Sequence, residues 1–458
     1  MLQKSRMASE TRIPGSFRDN AGYVFLKEGT LFRFIDQSYL STYKLFMSSG
    51  LYAELVKRRL LVSHEEEISQ QAALIKPEKV PFISYPYEWS FTMLKDAAMA
   101  TLRIQKLALK HGLILKDASG FNIQFLRGRP LLIDTLSFAK YEEGKPWIAY
   151  SQFCRHFLAP LLLSAHVDVR LSRLSLLHLD GIPLDLAASL APLRAKLDPA
   201  FFVHILPQAR LDKNSSEYRI PIVQRQALLA IIDNLEDSIR RLKPKMTGDK
   251  KAWSDYYQTC SYVEEDMQVK AAKIDAFIQC VQPKTIFDVG ANTGKFSRIG
   301  ADKCIDTVAM DVDALCVDAM YKQCTADGVE HLLPLVIDLC NPTPAAGWAL
   351  VERDSLLQRG PADMVLALAL IHHLAIANNV PLPYISEMFA SLGRWLVIEF
   401  VPKSDVQVAH MLKRREDIFP NYDVEAFLSD FEHNFELVER APLPGCQREL
   451  FLMRSRVF

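Results

Sequence analysis

The sequence carries no net charge. Lys and Arg number 54 and Asp and Glu number 54, so the formal charge is zero. A global electrostatic pull toward nucleic acid or an anionic membrane is therefore absent, and only a local patch stays open. None of the eight cysteines, Cys154, Cys260, Cys280, Cys304, Cys316, Cys324, Cys340 and Cys446, forms a Cys-x-x-Cys pair. No Cys/His cluster has zinc spacing either, so the predicted sites hold no metal. Scattered thiols without an export signal point to a reducing compartment. Met1–Asn20 is polar and lacks the apolar core of a secretory signal. No apolar run approaches the ~18 residues of a membrane span, and Phe157–Leu163 is short and interrupted by Pro160. These absences predict a cytoplasmic protein that neither enters a membrane nor binds nucleic acid. The length of 458 residues predicts two to three domains, and 49% hydrophobic content is enough to bury large cores.

The stretch Lys284–Lys295 organises the chain. Ile286, Phe287 and Val289 read as a buried strand. Gly290 and Gly294 bracket a tight turn where a side chain would block backbone approach. Helix signals follow over Lys295–Ile299. Asp288 falls at the carboxyl end of the strand, where open α/β sheets bind ligands. An approach helix precedes it, with Ile274, Phe277 and Ile278 facing inward. Strands are predicted at Asp306–Asp313, Glu330–Asp338, Ala362–Ala369 and Trp395–Val401. A final hairpin joins Phe435–Glu439 to Glu449–Met453 across Pro442–Gly445. Strand alternating with helix gives a doubly wound, mostly parallel α/β sheet with an antiparallel strand at its end.

Over residues 253–458 this pattern resembles the class I S-adenosylmethionine-dependent methyltransferases. The family's Asp-x-Gly-x-x-x-Gly turn occurs as Asp288–Gly294. An acid ends the second strand as Asp311, with Asp313 as the alternate, and another ends the third as Asp338. Ala369-Leu-Ile-His-His-Leu374 stands after the fourth. The spacing is not the Gly-x-Gly-x-x-Gly of dinucleotide enzymes. The resemblance implies S-adenosylmethionine as cofactor. Gly290 and Gly294, with Asn292 between them, would admit its methionine and ribose. Asp288 would accept from its ammonium, and Asp311 would take both ribose hydroxyls. Asp338 and the Leu339 amide would hold the adenine edge. The acceptor belongs at the carboxyl edge of the sheet, where His372, His373 or Glu399 would serve as base. Alternatively, the histidines only shape the pocket. Trp253, Tyr256, Tyr257 and Tyr262 read as an aromatic lid or as plain core. No Asn-Pro-Pro-Tyr stretch follows the fourth strand, which disfavours nucleobase or amide methylation. A small-molecule or glycan O or N acceptor is favoured, and a protein acceptor stays open.

The first half is read in order. Residues 1–20 are predicted as a flexible tail, Gly22–Ile35 as a hairpin turning at Lys27–Gly29, and Tyr39–Leu60 as a helix that Gly50 weakens. Lys79–Tyr87 is extended because of its prolines, and Phe91–His111 is a long helix. Asp117, Asn122 and Asp134 then fall at loop and strand ends. Their spacing resembles the catalytic core of protein-kinase-like and aminoglycoside-phosphotransferase-like families, which implies an α+β kinase-like domain over 21–243, helical in its second half. In that resemblance Asp117 matches the base, and Asn122 and Asp134 match the metal ligands. The sequence departs from the family at Leu115, where a histidine belongs, and in lacking a glycine-rich phosphate loop. On residues alone, the three polar positions satisfy turn backbone. Arg155, His156, Arg170 and Arg173 read as solvated faces, and 244–252 as a linker. The organisation predicts methyl transfer by the second half, with recognition or scaffolding by the first. The alternatives are a bifunctional kinase and methyltransferase or a non-catalytic cofactor sensor.

Overall fold

The computed structural model describes residues 10–69, 72–211, 222–245, 264–413 and 416–458. Trp253, Tyr256, Tyr257 and Tyr262 and most of the expected linker lie outside these residues. The chain divides into two compact units between Thr247 and Gly248, with Ala345–Arg353 counted in the first unit. Ala345–Arg353 falls within the expected 253–458 stretch, and its contacts are with residues of the first unit. Arg18 donates to both Glu352 carboxylate oxygens at 2.8 Å each. The Arg353 guanidinium stands 4.2 Å from the centre of the Phe121 ring.

The first unit opens with a five-stranded antiparallel sheet in the order β1-β2-β3-β5-β4. Its strands are β1 Glu10–Arg12, β2 Gly22–Lys27, β3 Thr30–Ile35, β4 His64–Ile68 and β5 Ala73–Pro77. The predicted tail therefore includes a strand, with Glu10 opposite Lys27 and Arg12 opposite Phe25. β4 escaped the sequence reading because Glu65, Glu66 and Glu67 look like a loop. It is an edge strand, where charge blocks further pairing. The first predicted helix is two, Gln37–Ser48 and Leu51–Lys57, divided at Gly50 with φ +82°. Helix Phe91–Lys110 is capped by Ser90, whose side chain accepts from the Met93 amide. It buries Met93, Leu94, Ala97, Leu102 and Ile104. Beyond it come β6 Leu113–Leu115, the hairpin β7 Ile123–Leu126 with β8 Arg129–Leu132, and β9 Phe138–Lys140, which pairs with β6. β8 stops at Leu132, so Asp134 lies in the following turn rather than at the strand end. Helices dominate the remainder. His156 is buried, against expectation, and meets Phe121 edge-on at 6.0 Å.

The second unit is built on a seven-stranded sheet in the order β12-β11-β10-β13-β14-β16-β15. Its strands are β10 Thr285–Val289, β11 Asp306–Asp311, β12 Leu332–Val336, β13 Ala362–Ala367, β14 Gly393–Phe400, β15 Phe435–Pro442 and β16 Glu449–Ser455. The pairs among β10 to β14 are all parallel. β16 runs antiparallel to both β14 and β15. The reversed strand is therefore the inner member of the hairpin, and β15 takes the edge. Met364, Val365, Leu366 and Ala367 are fully buried, as a parallel strand covered on both faces requires. Helix Glu264–Val281 lays Ile274, Phe277 and Ile278 on Ile286, Leu366 and Val397. The helix after the glycine turn is Ser297–Ala301, two residues later than its sequence signals suggest.

Candidate cofactor and acceptor site

Strand order reverses between β10 and β13, and a cavity of about 320 Å³ opens there at the carboxyl ends of the strands. Asp288 lines it from β10 and Gly290 from the turn after it, Asp311 from β11, Asp338 and Leu339 after β12, and His373 beyond β13. Parallel strands in register bring the three acids together. Asp288 pairs with Ala309 across the β10–β11 ladder, and Asp311 pairs with Val336 across the next.

Asp288 is 2% exposed, and its carboxylate accepts from the Ser297 hydroxyl at 2.5 Å. Burial raises its pKa to about 6, opposed by the Ser297 bond and by the attraction of Lys270. Asp311 accepts from the Asn292 amide at 2.7 Å with one oxygen and from the Asp313 amide at 2.8 Å with the other. Burial moves its pKa up as well. Asn292 sits in the left-handed region at φ +51°, which asparagine tolerates better than most residues. This bends the turn so that its amide reaches Asp311. β11 ends at Asp311, and Asp313 caps the next helix by accepting from the Leu315 amide. Of the two alternates, Asp311 is therefore the one at the cavity. Asp338 accepts from the Cys340 amide at 2.9 Å.

The two glycines differ. Gly290, at φ +76°, lines the cavity, and a Cβ there would come 3.1 Å from Leu370, another lining residue. Gly294, at φ +80°, is not among the lining residues. Its Cβ would meet Met320 Sδ at 2.7 Å, so this glycine serves packing against helix Ala314–Asp327 rather than ligand approach.

The three acceptor-side candidates separate too. His373 lines the cavity, and burial lowers its pKa to about 4. His372 does not line it. It is fully buried, and neither ring nitrogen has a hydrogen-bond partner. Its ring lies 4.2 Å from that of His373. Burial, then the neighbouring His373 and Arg448, lower its pKa well below the usual imidazole value. Glu399 also lies outside the cavity lining. It is fully buried, held by Lys270 at 2.5 Å and by Arg448 at 3.4 Å. Its carboxylate is thus engaged by two cations rather than turned to the cavity.

Lys270 and Phe296 line the cavity and were missed in the sequence. A signal for Lys270 existed, because Met267, Lys270, Ile274 and Phe277 recur at helical spacing, placing a lysine in an apolar stripe. Val312, Leu339 and Cys340 lie beside the acids at the same wall.

In the first unit, Asp117 accepts from the Gln152 side chain at 2.8 Å and from the Ser119 amide at 2.9 Å. Asn122 donates to Ser137 at 3.4 Å. Asp134 holds Arg33 at 2.6 Å and accepts from the Leu136 amide at 3.0 Å and from the Ser137 hydroxyl. These are turn and ion-pair roles. Among the described residues no group of three or more His, Cys, Asp or Glu could hold a metal, and no helix is long and apolar enough to cross a membrane.

No protein-family model matches the chain. Nodulation protein NoeA of Rhizobium meliloti (strain 1021) is 33% identical over 460 residues, spanning 96% of this chain and 95% of its own. Among solved structures, the N-methyltransferase NodS from Bradyrhizobium japonicum WM9 aligns at TM-score 0.32 and 11% identity, covering 42% of this chain and 97% of its own. The magnesium protoporphyrin IX methyltransferase ChlM from Synechocystis PCC 6803, with bound SAM, aligns at TM-score 0.30 and 16% identity, covering 46% of this chain and all of its own. WbdD aligns at TM-score 0.31 and 12% identity, covering 44% of this chain and 42% of its own.

Proposed function

The chain belongs to the family of nodulation protein NoeA, and we propose that it is an S-adenosylmethionine-dependent methyltransferase whose second unit holds the cofactor in the cavity at Asp288, Asp311 and Asp338. The observation that carries this reading is the convergence of those three carboxylates, from three neighbouring parallel strands, on one cavity with a Cβ-free wall at Gly290. The donor set suits the cofactor's chemistry. Asp288 is a buried acceptor for an ammonium, and Asp311 offers paired acceptors for two vicinal hydroxyls. Asp338 accepts at the adenine end, where Val312, Ile337 and Leu339 supply apolar wall. No phosphate grip is needed for a cationic sulfonium.

When bound, the cofactor supplies an electrophilic methyl group. The protein's part is to exclude water and orient an acceptor for in-line approach. His373 is the acceptor-side residue that reaches the cavity. Its pKa of about 4 keeps the imidazole neutral at physiological pH and makes it a weak base. It therefore suits accepting a hydrogen bond from an acceptor O–H or N–H, fixing the lone pair's direction, better than full proton abstraction. His372, whose ring lies 4.2 Å from that of His373, acts behind it as buried support. A small molecule or glycan with a hydroxyl or amine is the favoured acceptor, given the zero net charge. The first unit is assigned substrate recognition or scaffolding. Phosphoryl transfer there is disfavoured, because the carboxylates of Asp117 and Asp134 already hold side chains and turn amides.

Calorimetric titration of the full chain with S-adenosylmethionine and, separately, with magnesium ATP tests this reading. Binding of the first alone, lost in Asp311→Ala, is the expected result. No heat with S-adenosylmethionine, or binding indifferent to Asp311→Ala, overturns it.

A further inference from the structure

Leu193 and Leu197 are 82% and 83% exposed, and Phe202 is 67% exposed. Single exposed apolar side chains are ordinary, but a run of them at one corner of a fold is not. This run belongs to the helical part of the first unit. Leu193–Lys196 is a short helix entered through Pro192, and Phe201–Ile205 opens the next helical stretch after Asp198 and Pro199. Leu193 and Leu197 stand one turn apart, on a shared face. Phe202 follows across the corner, where its amide donates to the Asp198 carbonyl at 3.0 Å. The inward face is already occupied: Ala195, Phe201 and Ile205 are fully buried. The segment is therefore apolar on its covered side and on its open side. Helical segments that are apolar all round are normally enclosed, and the described residues leave this one open on one side.

The charge around the corner has one sign. From Leu190 to Arg210 the sequence holds Arg194, Lys196 and Arg210 against a single acid, Asp198. That acid is engaged locally. Its carboxylate accepts from the Ala200 amide at 2.8 Å and bonds the His166 ring at 3.2 Å. Arg194 and Lys196 make no ion pair among the described residues. Two copies meeting through this corner would set these cations against each other, which weakens association. An anionic lipid surface offers a partner for both features, an acyl boundary for the leucines and Phe202 and phosphates for the cations.

We propose that the corner at 193–203 docks the protein on the surface of an anionic lipid bilayer. Leu193, Leu197 and Phe202 enter the headgroup boundary, and Arg194 and Lys196 meet the lipid phosphates. The protein lies on the bilayer and does not span it, in keeping with the lack of a long apolar helix among the described residues. Whole-chain charge predicts a protein that stays off membranes, because the sum of zero averages this corner away. The assignment stands apart from the methyl-donor reading and uses none of its residues.

Sedimentation of the full chain with lipid vesicles tests it. One set is phosphatidylcholine alone, and the other is equal parts phosphatidylcholine and phosphatidylglycerol. The unaltered chain should pellet with the anionic set and less with the neutral one. Leu197→Gln/Phe202→Gln should lower the partition coefficient at least ~tenfold, since each CH₂ taken out of water counts for severalfold. Leu193→Gln/Leu197→Gln is an independent pair with the same expected loss. Arg194→Gln/Lys196→Gln should erode the preference for anionic vesicles by roughly fivefold per cation. Tyr384→Ser, at an exposed tyrosine of the second unit, should partition like the unaltered chain. Thermal melts confirm that each variant is folded. The proposal fails if the unaltered chain pellets with neither set, if both apolar pairs leave its partition unchanged, or if Tyr384→Ser loses as much as they do. It fails equally if light scattering shows a dimer that the apolar pairs convert to monomer without any vesicle binding, because the corner then joins two copies of the chain.

Discussion

The Asn292 amide donates to the Asp311 carboxylate at 2.7 Å, tying the turn after β10 to the end of β11. The residue proposed to hold a ribose is therefore also the residue that sets the shape of the turn proposed to hold the methionine. Asp311→Ala should act on both. We expect it to weaken S-adenosylhomocysteine binding by at least ~2 kcal/mol, more than one charged hydrogen bond supplies at the low end. Asp311→Asn, which keeps one acceptor oxygen, should lose less. Calorimetry on the two variants checks the order, and equal losses would separate the turn from the ligand.

Binding should depend on pH through Asp288. Burial raises its pKa to about 6 in the free protein. An ammonium ligand favours the carboxylate, so the proton must leave for the ligand to bind. Affinity should be flat above pH 7 and fall by up to about tenfold per unit as pH drops below 6. The same titrations run from pH 5 to pH 8 would show this. A flat profile would remove Asp288 from the ammonium site.

The same shift bears on stability with a definite sign. The native state holds the Asp288 proton more tightly than the unfolded chain, whose carboxyl titrates near the ordinary 3.8. This group therefore subtracts stability as pH rises from about 4 to about 6, and subtracts fully above that. Asp288→Asn should raise unfolding free energy by roughly 1–3 kcal/mol at pH 8 and by nothing near pH 4. It should abolish the pH dependence of binding at the same time. Denaturant melts at the two pH values read it directly.

His372 is buried with both ring nitrogens unpartnered. Leaving such groups unsatisfied costs about 1–3 kcal/mol, so His372→Leu should stabilise the fold by ~1 kcal/mol or more. If the ring positions His373 across their 4.2 Å contact, methyl transfer should fall while S-adenosylhomocysteine affinity holds. Unchanged turnover would reduce His372 to filler.

Gly294→Ala places a methyl group 2.7 Å from Met320 at a backbone φ of +80°. Strain and overpacking together should destabilise by ~2–4 kcal/mol. Ligand affinity measured well below the melting temperature should change little, because Gly294 does not line the cavity. A loss of affinity larger than the loss of stability would return this glycine to the ligand.

The second unit was legible because its information is local. Apolar runs that end in an acid marked β10 and β11, and register then brings the acids together. Asp311 against Asp313 could not be decided from the chain, since the choice depends on where a helix cap begins. Lys270 was masked for the opposite reason. A single lysine in an apolar stripe reads as an irregularity until Glu399, far along the sequence, is seen beside it. His156 was misjudged in the same way, because burial of a polar group depends on partners that sequence spacing does not reveal. In the first unit, β4 was hidden by edge-strand charge, and Asp117, Asn122 and Asp134 matched a motif whose carboxylates the fold uses to hold turns and Arg33.

The contribution of Ala345–Arg353 to the first unit has a consequence for heredity. A gene cut between the two halves would separate Arg18 from Glu352 and Phe121 from Arg353. Recombination that swaps the second half for another domain would have to import a segment between its third and fourth strands able to replace those contacts.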